Sequence, residues 1–305
     1  MRVAAVQTTA GPDRSRNLEA AAQLVDEAVR AGAELVVLPE YFSVAGDPDF
    51  LRHHAEPIEG PTVSWASELA GRNGIRLLAG SFPEKAAPDT GTGTNTGPER
   101  LFNTSCLIGR SGSVEAIYRK IHLFDVTLGG DGFLESATIT AGDRLCVSEL
   151  GRSAHPDPAD DAPPPMVGMS LCYDLRFPEM YRIMTLLGAT VMAVPAAFTA
   201  TTGAAHWELL LRTRATENQV FVIGAGQVGE LPPGMPACYG HSMIVDPWGT
   251  VIAERTEPDP GVVIADLDWD LLQKIRSDLP VLANRRPDAY RWPDDVTRGT
   301  VQSGR

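Results

Sequence analysis

Three residues of the 305-residue chain combine side-chain types and positions suited to acyl transfer. Cys172 lies in Ser170-Leu171-Cys172-Tyr173-Asp174, where the apolar stretch 167–171 stops and a helix is about to begin. Side chains at strand ends line the crevice of open α/β sheets, and backbone N–H groups of an incoming helix lower a thiol's pKa and hold an oxyanion. A buried structural cysteine would fit the same place. Glu40 follows the apolar run 35–38 after Pro39, and Lys120 follows a predicted strand at 113–118. Taken singly, each reads as a solvated surface charge. Taken together, they can converge on one crevice as base, cationic oxyanion partner and nucleophile.

The elements that must position them alternate along the chain. Residues 3–7 read as a strand, 17–31 as a helix with apolar positions at Ala21, Leu24, Val25 and Val29, and 35–38 as a buried strand. A helix at 63–73 leads to a strand at 76–82, and 101–108 with 113–118 form a hairpin around Gly109-Arg110-Ser111-Gly112. After a Gly-rich stretch at 128–133, strands are predicted at 167–171, 190–195 and 219–225, with helices at 178–187 and 205–218 between them. The chain then turns to β structure at 242–245, 250–253 and 262–265, and a last helix covers 271–277. The simplest packing of mixed strands with interleaved helices is two sheets face to face, helices outside. Residues 1–292 read as one domain and 293–305 as a flexible tail; loops 86–98 and 151–165 have too little to bury for structure of their own.

Composition narrows the partners. The hydrophobic share is 43%, enough for a buried core, and a formal charge of −13 repels phosphate backbones and anionic lipid, so neither nucleic acid nor membrane is expected as a partner. No apolar run reaches the length of a spanning helix and residues 1–10 lack a secretory pattern, which leads to a cytoplasmic expectation. Cys106, Cys146, Cys172 and Cys238 are too widely spaced for a zinc motif, so no metal is expected.

The segments Leu38-Pro39-Glu40, Arg119-Lys120-Ile121-His122 and Leu171-Cys172-Tyr173-Asp174-Leu175-Arg176-Phe177-Pro178-Glu179 resemble, in that order, the carbon–nitrogen hydrolase (nitrilase) superfamily. The resemblance spans roughly residues 2–290. It implies an α/β fold, a four-layer αββα sandwich of two mixed β-sheets, that pairs as a homodimer. It also implies a Glu40, Lys120, Cys172 triad, a substrate-positioning Glu135 and no cofactor. Glu135 alone reads equally as a loop-tip charge. Cys172-Tyr173-Asp174 is similar to the amidase branches rather than to nitrile-hydrolysing members. The segments 202–208, 239–249 and 285–290 look like those of the deaminated glutathione amidases and the omega-amidases, the Tyr-Gly-His-Ser-Met form leaning to the first.

The resemblance thus implies hydrolysis of a primary amide of a small carboxylate-bearing molecule through a Cys172 thioester, with water as second substrate. Lys120 and the Tyr173 backbone N–H would hold the oxyanion, and ammonia would leave. Deaminated glutathione ranks first as substrate, 2-oxoglutaramate and 2-oxosuccinamate second, N-carbamoyl amino acids third. Arg176, four residues past the nucleophile, has the planar fork that binds carboxylates; a salt bridge to Asp174 or Glu179 would occupy it equally well. Arg212 and Arg214 are weaker candidates. A Cys-His pair using His122, His206 or His241 is the rival chemistry, and a binding protein on this fold the rival function. Met180, Ile183, Met184 and Leu187 read either as a pairing face or as core.

Overall fold

The computed structural model describes residues 1–86, 100–128, 131–151, 163–232 and 235–289. Most of the loops expected at 86–98 and 151–165, and the expected tail, lie outside these residues.

The chain opens with β1 (Arg2–Gln7), α1 (Arg14–Arg30) and β2 (Leu35–Val37). The Asp13 carboxylate accepts from the Arg16 N–H, which starts α1 three residues earlier than apolar periodicity alone indicates. Two helices, α2 (Pro48–His54) and α3 (Pro61–Asn73), each have proline in the first turn, and α2 was not anticipated from the sequence. The strands β3 (Arg76–Leu78), β4 (Phe82–Lys85), β5 (Leu101–Ile108) and β6 (Val114–Arg119) follow. The single strand expected at 76–82 is therefore two. Gly80, at φ +32°, separates them, and a Cβ there would lie 1.9 Å from the Pro39 carbonyl. Only glycine permits that approach.

Next come a hairpin of β7 (Asp125–Leu128) and β8 (Asp131–Leu134), then β9 (Cys146–Glu149) and β10 (Met166–Met169). Then follow α4 (Pro178–Leu186), β11 (Val191–Ala196), α5 (Ala200–Asn218) and β12 (Phe221–Gly226). The remainder is the short pair β13 (Val228–Gly229) and β14 (Cys238–Tyr239), then β15 (Met243–Val245), β16 (Val251–Glu254), β17 (Gly261–Asp266) and α6 (Trp269–Asp278).

One sheet runs β17-β1-β2-β3-β5-β4 with β6 also on β5, and the other runs β16-β15-β12-β11-β10-β9. Both are mixed. β1, β2 and β3 are parallel in the first, and β10, β11 and β12 in the second, with antiparallel strands at the flanks.

Residue alternation builds the layers. Val3, Ala5, Leu35, Val37, Leu78 and Leu107 share a core with Val167, Met169, Val191 and Ile223 of the opposite sheet, a core that continues into Met180, Met184, Trp207 and Leu211 of α4 and α5. Their neighbours Ala4, Val6, Val36, Leu77 and Cys106 face the other way, onto Ala21, Val25, Ala66 and Leu69 of α1 and α3. The result is helix, sheet, sheet, helix. Met180 and Met184 are buried, whereas Ile183, Leu186 and Leu187 on the opposite side of α4 are exposed, so the four residues expected on one face divide between two. Among the described residues, no helix is long and apolar enough to cross a membrane, and no group of three His, Cys, Asp or Glu could hold a metal ion.

Candidate active site

Glu40, Lys120 and Cys172 follow β2, β6 and β10, and these three chain ends meet at one rim of the sandwich. The Gly80 break brings the chain against the Glu40 turn, where the Ser81 N–H donates to the Pro39 carbonyl and the Tyr41 N–H to Ser81 Oγ. Gln227 Nε2 donates to the Glu40 carbonyl at 3.0 Å, tying that turn to the second sheet. On the other side, the Lys120 N–H donates to the Asn103 carbonyl. Cys172 begins a 3-10 turn (Cys172–Arg176) with φ +45°, a conformation unusual for a non-glycine residue and typical of a side chain held out at a strand-to-helix turn. The incoming helix expected directly after Cys172 is this short turn, with α4 behind it.

The turn is fixed by a fully buried carboxylate. Asp174 accepts from the Leu171 N–H at 2.8 Å, the Tyr118 hydroxyl at 2.6 Å, and both the backbone N–H and ring Nδ1 of His122 at 3.0 and 2.7 Å. Since Tyr118 and His122 flank Lys120, the same aspartate couples the lysine to the nucleophile.

At the centre, Lys120 Nζ donates to Glu40 Oε1 at 3.0 Å and to Glu135 Oε2 at 2.8 Å, and its side chain is only 2% exposed. Burial pushes the ammonium's pKa down, but Glu135 and Glu40 outweigh it, and the net pKa lies well above the usual lysine value. It is a permanent cation. Glu135, in a 3-10 turn (Glu135–Ala137) after β8, is buried and also accepts from the Phe124 N–H at 2.7 Å. It is not a loop-tip charge.

Glu40 Oε2 accepts from the Ala197 N–H at 2.8 Å. Glu40 also lies close enough to the Cys172 thiol to act on it electrostatically, and the two line the same cavity. Burial raises the thiol's pKa well above its ordinary value, Glu40 raises it further, and Lys120 opposes both. The lowered thiol pKa expected from an incoming helix is thus reversed, because desolvation and an adjacent carboxylate outweigh a short 3-10 turn. The resting cysteine is a thiol beside a carboxylate. Cys106 and Cys146, pushed by burial up to about 12 and 11, have no such arrangement.

Cys172, Glu40, Lys120 and Glu135 open into a cavity of about 760 Å³ including its mouth, lined further by Tyr173, Arg176, Phe133, Met235 and Thr199. Tyr173 is the second residue of the nucleophile turn, so its N–H is one of the helix-start donors without an intrahelical partner. Its ring packs edge-on against Phe124 and Phe177. Arg176 lies over the Phe198 ring and donates to His206 Nδ1 at 3.2 Å. Among the described residues it has no ion pair, so the expected alternative of a bridge to Asp174 or Glu179 is not formed. Arg212 pairs with Glu208 and Arg214 with Glu217, away from the cavity. The three histidines are engaged elsewhere, His122 with Asp174, His206 with Arg176 and His241 with Glu254. Among the described residues, the group beside Cys172 is the Glu40 carboxylate and not a histidine.

Asn103, Tyr41 and the Ala197 N–H complete the site and were not anticipated. Asn103 Nδ2 donates to Glu40 and Glu135, and the Tyr41 hydroxyl to Glu135. The signal for Asn103 was a polar side chain within an otherwise buried strand; a backbone donor such as Ala197 leaves none.

Residues 2–277 match the carbon-nitrogen hydrolase family. The chain belongs to that family. A member from Bos taurus, deaminated glutathione amidase, is 38% identical over 289 residues, covering 94% of this chain and 83% of that protein. The chloroplastic omega-amidase of Arabidopsis thaliana is 35% identical over 296 residues, covering 94% and 73%. Among solved structures, the C. elegans NitFhit protein superposes with a TM-score of 0.80 at 32% identity over 95% of this chain; the chain spans 66% of that protein, just under two thirds. As a carbon-nitrogen hydrolase with the amidase branches as its relatives, the chain is an enzyme of the amidase kind, on the four-layer nitrilase sandwich described above.

Proposed function

We propose that the protein hydrolyses the amide of a carboxylate-bearing 2-oxo acid through a Cys172 thioester, and that its substrate is deaminated glutathione. The observation that carries the mechanism is that Cys172 lines one cavity with the buried Glu40 carboxylate, which lies 3.0 Å from the buried Lys120 ammonium.

In this reading Glu40 takes the thiol proton as sulfur attacks the amide carbonyl, and the oxyanion forms against Lys120 and the Tyr173 N–H. Protonated Glu40 returns the proton to the departing nitrogen as the C–N bond breaks, leaving the thioester. Glu40 then deprotonates a water, whose attack releases the acid and restores the thiol. Glu135 holds Lys120 throughout. Each proton and charge has a side chain to receive it, so the scheme calls for no cofactor.

Arg176 supports the substrate class, as a cavity-wall guanidinium that has no ion pair among the described residues and is suited to a carboxylate. In deaminated glutathione the scissile nitrogen belongs to cysteinylglycine, so the bond is a secondary amide and a dipeptide leaves. Ammonia leaves from the omega-amides and from N-carbamoyl amino acids, so the expectation of a primary amide holds for those two classes and not for deaminated glutathione. The apolar residues Phe133, Met235 and Pro236 on the cavity wall provide a place for the larger leaving group. Side-by-side kcat/KM for deaminated glutathione, 2-oxoglutaramate and an N-carbamoyl amino acid, read by the released acid, tests the choice. A tenfold preference for 2-oxoglutaramate, about 1.4 kcal/mol of transition-state binding, would assign the omega-amide substrate with the same mechanism.

The reading includes a single domain over residues 1–292, a cytoplasmic protein and a homodimer. Ile183 and Leu186 of α4, Leu187 at its C-cap and Leu209 of α5 are 46 to 62% exposed, an apolar helical layer suited to pairing with a second copy. Sedimentation equilibrium at micromolar concentration is expected to give the dimer mass; a monomer would remove this part of the reading.

A further inference from the structure

Asn103 is the third residue of β5 and is fully buried. Its side-chain nitrogen donates to Glu40 Oε1 at 2.9 Å and to Glu135 Oε1 at 3.2 Å. Lys120 Nζ spans the same two carboxylates, so the four side chains close a ring in which each acid alternates with a donor. The amide's orientation follows from chemistry, because turning it over would set Oδ1 against two anionic oxygens. Its Oδ1 is buried and has no hydrogen-bond partner among the described residues. A side chain chosen only to fill the strand would not leave that acceptor unpaired.

Two carboxylates around one ammonium carry an excess negative charge, and a neutral donor that reaches both of them offsets part of their repulsion. Both N–H bonds of Asn103 stabilise the ionised acids without adding charge. The bond to Glu40 takes Oε1, while the Ala197 N–H holds Oε2 at 2.8 Å, so both oxygens of the carboxylate beside Cys172 are fixed in place.

We propose that Asn103 is a positioning residue that holds Glu40 and Glu135 side by side and turns one Glu40 oxygen toward Cys172. The proposal rests on Glu40 being the base. Among the described residues, the titratable and charged groups facing this ring are Glu40 and Tyr41 from the segment after β2, Lys120 after β6, Glu135 after β8, Cys172 after β10 and Cys238 of β14. Glu84 of β4, the strand paired with β5, is held by Arg119.

The test is the pH dependence of Cys172 alkylation by iodoacetamide in the full-length protein, located by peptide mass, which needs no knowledge of the substrate. Asn103→Ala removes both donors, and Asn103→Ser keeps one hydroxyl donor should the alanine protein fail to fold by far-UV circular dichroism. The expected result is alkylation at least tenfold slower than wild type near pH 6.5, with the acid limb of the profile moved up by about one pH unit in the alanine variant and less in the serine variant. In a Glu40→Gln background, adding Asn103→Ala is expected to change the rate less than twofold. An acid limb that stays at the wild-type position in both Asn103 variants, or a further tenfold loss in the double variant, would overturn the proposal while leaving Glu40 as base. Wild-type alkylation in Glu40→Gln alone would overturn the base assignment and the proposal with it.

Discussion

Replacing Lys120 by methionine keeps the unbranched stem, one atom shorter, and removes its charge. In the intact site Nζ is 3.0 Å from Glu40 and 2.8 Å from Glu135. At about 3 Å and an effective dielectric of about 20, each contact supplies about 5 kcal/mol of attraction before desolvation is counted. Removing one partner of a buried ion pair costs about 3 to 5 kcal/mol, because the remaining charge is left buried and uncompensated. Lys120→Met would leave two buried carboxylates bridged only by Asn103, and we expect urea unfolding to report a loss in that range. The same ammonium faces the oxyanion, so kcat should fall about 10² to 10³-fold while KM changes less than about threefold. Steady-state rates on the best of the three substrate classes measure the split. An unchanged kcat with a raised KM would refute the reasoning, because a cation placed for the transition state cannot act through ground-state binding alone.

Arg176→Met should lower kcat/KM for a 2-oxo acid amide by tenfold or more and leave a neutral aliphatic amide within about twofold, a pattern that parallel rate measurements can check. Cys106 makes a separate prediction about stability. Burial raises its folded thiol pKa from 9.0 to about 12. The unfolded chain therefore releases that proton first, and stability should be full below about pH 9 and fall as pH rises toward 12. By pH 11 the loss is about 3 kcal/mol as an upper bound, and a Cys106→Ala protein should show a correspondingly flatter dependence in urea titrations. Equal slopes in the two proteins would contradict it.

The parts of the fold legible in the sequence are those set by local pattern. The strand expected at 101–108 is β5 with the same bounds, and the apolar run ending at Pro39-Glu40 is β2 with its carboxylate at the end. The residues that needed tertiary structure to be recognised owe their roles to approach and burial. Gly80 splits a strand because the Pro39 carbonyl lies against it. Asp174 reads as an ordinary turn aspartate until Tyr118 and His122, more than fifty residues earlier, are seen to donate to it. The thiol's protonation was misjudged from sequence for the same reason. A helix start after Cys172 is visible locally, whereas full burial beside Glu40, contributed by a distant strand end, is not. Glu135 gains its role from Lys120 and the Phe124 N–H, neither of which its own segment reveals.

The most direct test of the central claim is mass analysis of wild-type enzyme quenched within milliseconds of mixing with its best amide substrate. The account predicts an acyl adduct confined to the peptide containing Cys172, and no amide hydrolysis above background in the Cys172→Ala protein. An adduct on Cys106, Cys146 or Cys238, or wild-type turnover by Cys172→Ala, would contradict it.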